Sequence, residues 1–313
     1  MAATGCTKNT TQVEEFLLVG LHILPELKTF FFVTFLIIYT LTLAGNGLIV
    51  VTVSASGRLR SPMFYLLSNF SFLEIWYSTS TAPSMLSCIL AEGSSISFAG
   101  CLTQFYFFTC FATIECFLLT VMAYDRYTAI CFPLHYTILM NRRQCLKLMS
   151  VAWVGGLTLP LITLVLLYRL KFSGEKRINH FFCEFAAVIK AACSDTSFIE
   201  VNAFFFSFVI LIVPFILIIM SYAYIMSAIL KIPSANGRHK AFSTCSSHLA
   251  VVSTYFGPLI AIYATPRTDG SRNLSNVLSL LYSAITPLLN PVIYTLRNKE
   301  IREAWRKAFQ KTS

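Results

Sequence analysis

The sequence predicts an all-α membrane protein, a bundle of seven transmembrane helices followed by a short amphipathic helix. Its composition is the first observation: of 313 residues, 56% are hydrophobic and 12% are charged, whereas soluble domains carry about 25% charged residues. The second is the length of the uncharged stretches, for example between Lys28 and Arg58 and between Glu200 and Lys231. A helix needs about 20 apolar residues to span the hydrocarbon core.

Seven such stretches give the order of the helices. We predict helices at 29–55, 61–84, 97–127, 143–167, 198–230, 238–263 and 273–296. The second and third stretches are each interrupted by one acid, Glu74 and Glu115. Prolines inside the helices remove a backbone donor and favour kinks. They are Pro160, Pro214, Pro258, Pro287 and Pro291. No polar linker divides the helices, so 29–296 is interpreted as one bundle.

The charge distribution predicts the orientation in the membrane. The formal net charge is +10. With the N-terminus outside, the cytoplasmic segments hold the whole basic excess and the outer segments are neutral. This is the asymmetry of the positive-inside rule, and basic groups beside the inner leaflet attract anionic membrane lipid. Topology and lipid contact therefore explain the charge without a nucleic-acid partner. Residues 1–28 are interpreted as an extracellular segment without a signal peptide, because they are mostly polar and lack an apolar stretch.

The last residues, 297–313, predict a cytoplasmic amphipathic helix. Ile301, Trp305 and Phe309 recur every four residues on one face, and basic residues occupy the other. This pattern is typical of a helix that lies in the membrane interface with its apolar face buried. A frayed, solvated tail is the alternative interpretation.

Short motifs occur in order along the predicted helices. They are Gly45-Asn46, LRSPMFYLLSNFSFLE at 59–74, MAYDRYTAIC at 122–131, Ser221-Tyr222, KAFSTCSSHL at 240–249 and PLLNPVIY at 287–294. A single Asp-Arg-Tyr would be weak support, but six motifs on six expected helices are specific. The chain resembles the odorant receptors of the tetrapod-type class, within the rhodopsin-like G-protein-coupled receptor superfamily.

This resemblance implies a plasma-membrane receptor with a cytoplasmic C-terminus, and not an enzyme. It implies that a small volatile odorant binds among the outer parts of the helices and favours an outward-swung helix 6. The opened inner face would then activate a stimulatory, olfactory-type G protein and raise cyclic AMP. The ligand must bind the active state better than the inactive state, since otherwise it shifts no equilibrium.

The resemblance also assigns a set of switch residues near the inner ends of the helices. Arg126 carries a permanent charge with five donors, and a neighbouring carboxylate would hold it in the inactive state. The family pattern implies that tyrosines of helices 5 and 7 move toward it on activation. The switch set is Asp125, Arg126, Tyr127, Tyr222, His248, Asn290, Pro291 and Tyr294.

Two acids inside the membrane predict an ion or proton site. Ionisable groups within a bilayer are costly and usually functional. Glu74 and Glu115 are expected at the same depth as Asn46 and Asn290. We hypothesise that these four side chains hold Na⁺ or share a proton, and that the bound cation favours the inactive state. A purely structural polar cluster is the alternative. No other cofactor is expected.

Helical turns counted from the motifs, together with the resemblance, predict the lining of the ligand pocket. The candidates are Phe108, Thr109, Ala112, Thr113, Phe206, Ile210, Leu259, Ile260, Tyr263 and Leu280. They are apolar or aromatic with a few hydroxyls, which suits small, weakly polar molecules. No acid lies at the outer end of helix 3, which disfavours a cationic ligand. Where the family commonly has Phe-Tyr-Gly, this chain has Tyr255-Phe256-Gly257, so a tyrosine hydroxyl is missing at position 256.

Covalent features follow from the resemblance. Cys101 and Cys183 match the disulfide of the superfamily, in an oxidising compartment. Cys193 matches one partner of a further loop pair, but Ser173 stands at the other position, so Cys193 is either free or paired elsewhere, and Cys6 is a poor substitute. Asn9 begins a glycosylation motif, Asn-Thr-Thr, in the N-terminal segment.

Three other function classes are less compatible with the sequence. A different rhodopsin-like receptor, such as a chemokine or peptide receptor, would usually have a strongly charged outer surface. A transporter or channel would favour inverted repeats and broken helices, which are not visible. An enzyme would need a nucleophile–base set or a metal site, and no such spacing occurs.

Overall fold

The structure is a computed structural model that describes residues 13–20, 25–57, 59–91, 93–172, 177–264, 278–297, 301 and 303. The helices are α1 (Pro25–Ala55), α2 (Pro62–Leu90), α3 (Phe98–Cys131), α4 (Tyr136–Leu139), α5 (Arg142–Thr158), α6 (Pro160–Tyr168), α7 (Phe185–Ala191), α8 (Ser197–Ser207), α9 (Val213–Leu230), α10 (Ala235–Ala264) and α11 (Thr286–Arg297). The strands are β1 (Glu15–Leu18), β2 (Ser94–Ser97) and β3 (Arg177–Ile178). The end of the bundle that carries Arg126 is called the inner end, and the opposite end the outer end.

The prediction of a helical membrane bundle is confirmed. Within the described residues, five helical stretches are long and apolar enough to cross a membrane, namely Pro25–Ala55, Phe98–Cys131, Arg142–Tyr168, Ser197–Leu230 and Ala235–Ile262. Leu278–Tyr294 is a shorter apolar helix. The helix α2 is long enough but more polar, and it buries Glu74 and several hydroxyl side chains between its neighbours. The chain is therefore a multi-pass membrane protein.

Prolines interrupt the predicted helices in two ways. The fourth predicted helix is divided at Pro160, where α5 ends and α6 begins. In the fifth and seventh, a π-helical segment comes directly before the proline region, at Phe208–Ile212 before Pro214 and at Leu281–Ile285 before Pro287. A proline cannot donate to the carbonyl one turn earlier, so the hydrogen-bond ladder widens locally and the chain continues as a helix.

A small sheet covers part of the outer end, and it was not predicted from the sequence. Strand β1 lies in the middle, antiparallel to β2 and parallel to β3. The alternation of its side chains places Phe16 and Leu18 inward, and each is 1% exposed. The N-terminal segment thus contributes a strand to the fold, and α1 begins at Pro25, four residues earlier than predicted.

Helices α3 and α5 are in close contact at Gly156. A Cβ atom added there would lie 2.2 Å from Cγ1 of Ile114 and 3.0 Å from its backbone nitrogen. Small residues allow such close backbone approach between membrane helices, where packing provides much of the association energy. Gly156 therefore sets the distance between two helices that frame the centre of the bundle.

The predicted C-terminal helix lies mostly outside the described residues. Ile301 and Glu303 are helical. Ile301 is fully buried in a small apolar cluster with residues of α1 and α2, including Ile49 and Phe64. Trp305 and Phe309 lie outside the described residues.

Candidate functional site

At the inner end, Arg126 is held by the neighbouring acid. Its guanidinium donates to Oδ2 of Asp125 at 2.5 Å. The hydroxyl of Tyr136, in the short helix α4, donates to Oδ1 of the same carboxylate at 2.7 Å. Asp125 is 1% exposed, and each of its two oxygens accepts one of these hydrogen bonds. The sequence did not single out Tyr136.

Three other predicted switch residues, Tyr222, His248 and Tyr294, lie near Arg126 without a hydrogen bond to it. The hydroxyl of Tyr222 in α9 shares a hydrogen bond of 2.8 Å with Nδ1 of His248 in α10, and the two rings stack. The buried hydroxyl of Tyr294 has no hydrogen-bond partner among the described residues. Tyr127 packs edge-on against Phe132. The bond between Tyr222 and His248 thus joins α9 to α10 in their inner halves.

The predicted mid-membrane cluster is assembled in the structure. The Asn290 amide donates to Oε1 of Glu74, which also contacts Glu115. The Asn46 amide donates to the backbone oxygens of Thr42 (3.0 Å) and of residue 287 (3.1 Å), which ties α1 to α11. Asn46, Glu74, Glu115 and Asn290 are each at most 1% exposed.

One oxygen atom of each side chain in this cluster lacks a hydrogen-bond donor within the described residues. These atoms are Oδ1 of Asn46, Oε2 of Glu74, Oε1 of Glu115 and Oδ1 of Asn290. Carboxylate and amide oxygens are ligands that suit hard cations, and buried polar atoms are normally paired. The donor set therefore fits a sodium ion or a shared proton.

The predicted pocket residues lie mostly in the interior of the outer half. Phe108 is 8% exposed, and its ring contacts Tyr77, Phe182 and Tyr282 at centroid distances of 5.3, 4.8 and 6.3 Å. Thr113 is buried. Intermediate burial is shared by Thr109, Ala112, Phe206, Ile210, Leu259 and Leu280.

Two pocket candidates differ from the others. Ile260 is 48% exposed, so it is the least enclosed of the described candidates. The side chain of Tyr263 lies outside the described residues. The hydroxyls of Thr109 and Thr113 donate to backbone oxygens one turn earlier, both at 2.8 Å, so a ligand can use them only as acceptors or by breaking these bonds.

Tyr255, the residue before Phe256, carries a hydroxyl that lies inside the bundle. Tyr255 is 1% exposed. Its hydroxyl donates to the backbone oxygen of Ala112 at 2.9 Å and lies 3.3 Å from Sγ of Cys116. This bond joins α10 to α3 directly below the pocket candidates, and the sequence did not assign Tyr255 this role.

The long outer loop is fastened over the same region. Cys101 and Cys183 form a disulfide. Gln104 accepts the backbone N–H of Cys183 at 3.0 Å and donates to α2 at Ser80 and Ser84, a role that the sequence did not indicate. Phe182 then reaches Phe108 from above, so the loop closes the aromatic region from the outer side.

His180 supports this loop as a neutral ring. Its ring lies edge-on to Phe182 with centroids 4.5 Å apart. Burial lowers the pKa of His180 to about 4, so the imidazole is uncharged at physiological pH. The backbone N–H of Phe182 points to its Nδ1 at 3.5 Å.

Cys193 is disulfide-bonded, so the alternative that it is a free thiol is wrong. The sequence left both alternatives open because Ser173 stands at the position where the resemblance implies the partner cysteine. Cys6 and the candidate glycosylation site Asn9 lie outside the described residues.

Comparison of the sequence with known proteins identifies the family of this chain. The sequence model of the olfactory receptor family matches residues 35–312. Human olfactory receptor 10A5 is 45% identical over 97% of this chain and 96% of its own length. Human olfactory receptor 11A1 is 46% identical over 96% and 95%, and mouse olfactory receptor 1E16 is 44% identical over 97% of both chains. Full-length matches at this identity confirm the resemblance seen in the motifs: the chain belongs to the olfactory receptor family, whose members are signalling receptors and not enzymes.

Proposed function

We propose that this receptor binds small, volatile, weakly polar odorants in the outer half of the bundle and activates a stimulatory, olfactory-type G protein. The observation that carries the proposal is the difference between the outer and inner halves of the bundle interior. The outer half contains an aromatic region around Phe108 with no acidic side chain among its candidates, and the inner end contains Arg126 restrained by a single carboxylate.

The physical route between these regions runs through α10. Tyr255 joins α10 to α3 beneath the aromatic region, and His248 joins it to α9 nearer the inner end. A ligand that displaces the contacts of Tyr255 would change the position of α10 relative to α3. Rotation of α10 would strain the bond to Tyr222 and open the inner face, where Arg126 would then meet a helix of the G protein.

The chain is proposed to lie in the plasma membrane with the N-terminus extracellular and the C-terminus cytoplasmic. The basic excess of the inner segments supports this orientation. The disulfide between Cys101 and Cys183 at the outer end supports it independently, because disulfides persist in oxidising compartments.

A volatile-compound screen tests the receptor function. The receptor is expressed with an olfactory-type stimulatory G protein, and cyclic AMP is measured against volatile esters, alcohols and aldehydes, with charged amines as a comparison. We expect a concentration-dependent rise with at least one neutral volatile. Arg126→Ala, matched for surface expression, should abolish the rise because the contact to the G protein is lost.

A different result would favour another function. Ligand-independent ion flux through the purified protein in liposomes, without ligand-dependent nucleotide exchange on the G protein, would identify a transporter or channel. Responses to amines alone would contradict the neutral, weakly polar ligand class.

We further propose that the cluster of Asn46, Glu74, Glu115 and Asn290 holds Na⁺ or a proton and thereby favours the inactive state. Two carboxylates in contact, at a depth where uncompensated charge is costly, require a compensating cation. The amide of Asn290 spans from α11 to Glu74 on α2. A cation at this place would therefore keep α2, α3 and α11 together.

Glu115→Gln should alter basal signalling. The substitution removes one negative charge while keeping the side-chain shape. If Na⁺ is bound, we expect basal nucleotide exchange to rise by several-fold and to lose its dependence on sodium. If a proton is shared, we expect sodium to have no effect on either protein and the variant to lose the pH dependence of the wild type.

The control is Glu200→Gln, the same chemical change at an exposed position of α8. It should leave basal exchange and its sodium and pH dependence as in the wild type. Unchanged basal and ligand-driven responses in Glu115→Gln would contradict both forms of the hypothesis.

A further inference from the structure

A groove of about 520 Å³ lies between α1, α2 and α5 at the inner end of the bundle. It is separate from the aromatic region and from Arg126. Its walls include Val50 and Val53 of α1, Tyr65 of α2 and Met149 of α5. The volume is within the range of sites that hold drug-sized ligands, about 300–1,000 Å³.

Two arginines stand at the groove, and nothing in its lining neutralises them. Arg60 precedes α2, Arg142 is the first residue of α5, and both are exposed. Sγ of Cys145 lies 3.9 Å from the backbone oxygen of Pro62, so the segments that carry the two arginines are adjacent. No lining residue is acidic, and among the described residues neither guanidinium has a carboxylate partner.

The rest of the groove combines one polar point with an apolar wall. Nε1 of Trp153 donates to Oδ1 of Asn69 at 2.6 Å. Asn69 lines the groove, and its amide N–H₂ donates to no acceptor within the described part of the chain. Phe72, 43% exposed, and Leu146, 49% exposed, form a wall open to the surrounding hydrocarbon. Positive charge at the rim and an apolar wall along the membrane fit an amphiphile.

We propose that this groove binds an anionic phospholipid of the adjacent leaflet, with its phosphate between Arg60 and Arg142 and an acyl chain along Phe72 and Leu146. Guanidinium groups bind phosphate oxygens by charge-assisted, often bidentate hydrogen bonds, and basic residues beside the inner leaflet attract anionic lipids. A sterol would leave both guanidinium groups without a counter-charge. A soluble phosphate would leave the apolar wall uncovered.

Native mass spectrometry of the detergent-purified receptor, titrated with phosphatidylserine, tests the proposal without needing an odorant. The test variant is Arg60→Gln with Arg142→Gln. The matched control is Arg143→Gln with Lys147→Gln, which removes the same charge from exposed positions of α5 that do not line the groove. Detergent is used because it lacks the surface potential of a bilayer, which acts on every basic residue.

We expect the first phosphatidylserine to bind at least tenfold more weakly to the test variant and within twofold of the wild type to the control. Phosphatidylcholine should bind the wild type at least tenfold more weakly than phosphatidylserine. Thermal unfolding verifies that both variants are folded.

Several results would overturn the proposal. Equal weakening in the test and control variants would indicate general attraction to a basic surface, and no weakening in either would exclude the two arginines as the site. Binding of glycerophosphoserine as strong as that of the lipid would identify a site for a soluble phosphate. Displacement of phosphatidylserine by cholesterol, with cholesterol binding equally to wild type and test variant, would identify a sterol groove.

Discussion

Gly156→Ala is expected to destabilise the receptor and to lower its amount at the cell surface. The added Cβ would lie 2.2 Å from Cγ1 of Ile114 and 3.0 Å from its backbone nitrogen. The side chain of a β-branched residue in a helix has few alternative rotamers, and the backbone atom cannot move without separating α3 from α5. Overpacking of this kind costs about 1–3 kcal/mol. Thermal unfolding of the purified protein and surface staining of cells measure the effect.

Gly47→Ala is the matched control for this substitution. Gly47 also lies inside a membrane helix, α1, but a Cβ there has no atom within 4 Å. Since alanine is favoured over glycine in a helix interior by about 1 kcal/mol, Gly47→Ala should leave stability equal or slightly higher. Equal behaviour of the two variants would contradict the close approach of α3 and α5 at Gly156.

Asp125→Asn is expected to raise signalling in the absence of odorant. The carboxylate accepts hydrogen bonds from Arg126 at 2.5 Å and from Tyr136 at 2.7 Å, and the amide removes the charge that restrains the guanidinium. Loss of one or two kcal/mol from the inactive state changes the ratio of the two states by about 5- to 30-fold. Basal cyclic AMP at matched surface expression measures this change.

Tyr136→Phe separates the contributions of charge and hydrogen bonding at the same acid. It removes one donor to Asp125 but leaves the ion pair with Arg126, so its basal cyclic AMP should lie between those of the wild type and Asp125→Asn. Basal signalling of Asp125→Asn that is unchanged or lower would show that this acid does not restrain the inactive state.

The helical bundle was predictable because charged residues are excluded from the hydrocarbon core. Each membrane helix therefore appears in the sequence as a long stretch with few or no charged residues. The helix ends were less predictable. The helix α2 continues to Leu90, beyond the predicted end at position 84, since no charge or glycine marks a boundary there. The prolines could be located in the sequence. Whether a proline divides a helix, as at Pro160, or is preceded by a π-helical segment, as at Pro214, depends on the packing of neighbouring helices.

The outer sheet could not be predicted because its pairing is not local. Strand β1 has only four residues, and its partners β2 and β3 are distant in the sequence. The alternation of Phe16 and Leu18 was the available signal, and over four residues it is too short to distinguish a strand from a loop.

The candidate site was also predictable only in part. Motifs placed Asp125, Arg126 and the mid-membrane cluster, because the family pattern fixes both residue type and depth. Tyr136 and Gln104 belong to no motif, so their roles became visible only as hydrogen bonds to Asp125 and to the loop. Tyr255 stood inside a recognised motif, but only the structure shows that its hydroxyl reaches α3.

The central position of β1 has a consequence for how the protein is made. During synthesis this strand leaves the ribosome about 160 residues before its parallel partner at Ile178. Contacts separated by so much chain form slowly, so β1 can pair with β2 first, while its other edge stays open until β3 has been made. The sheet can therefore close only at a late step of folding, after the chain up to Ile178 has been synthesised.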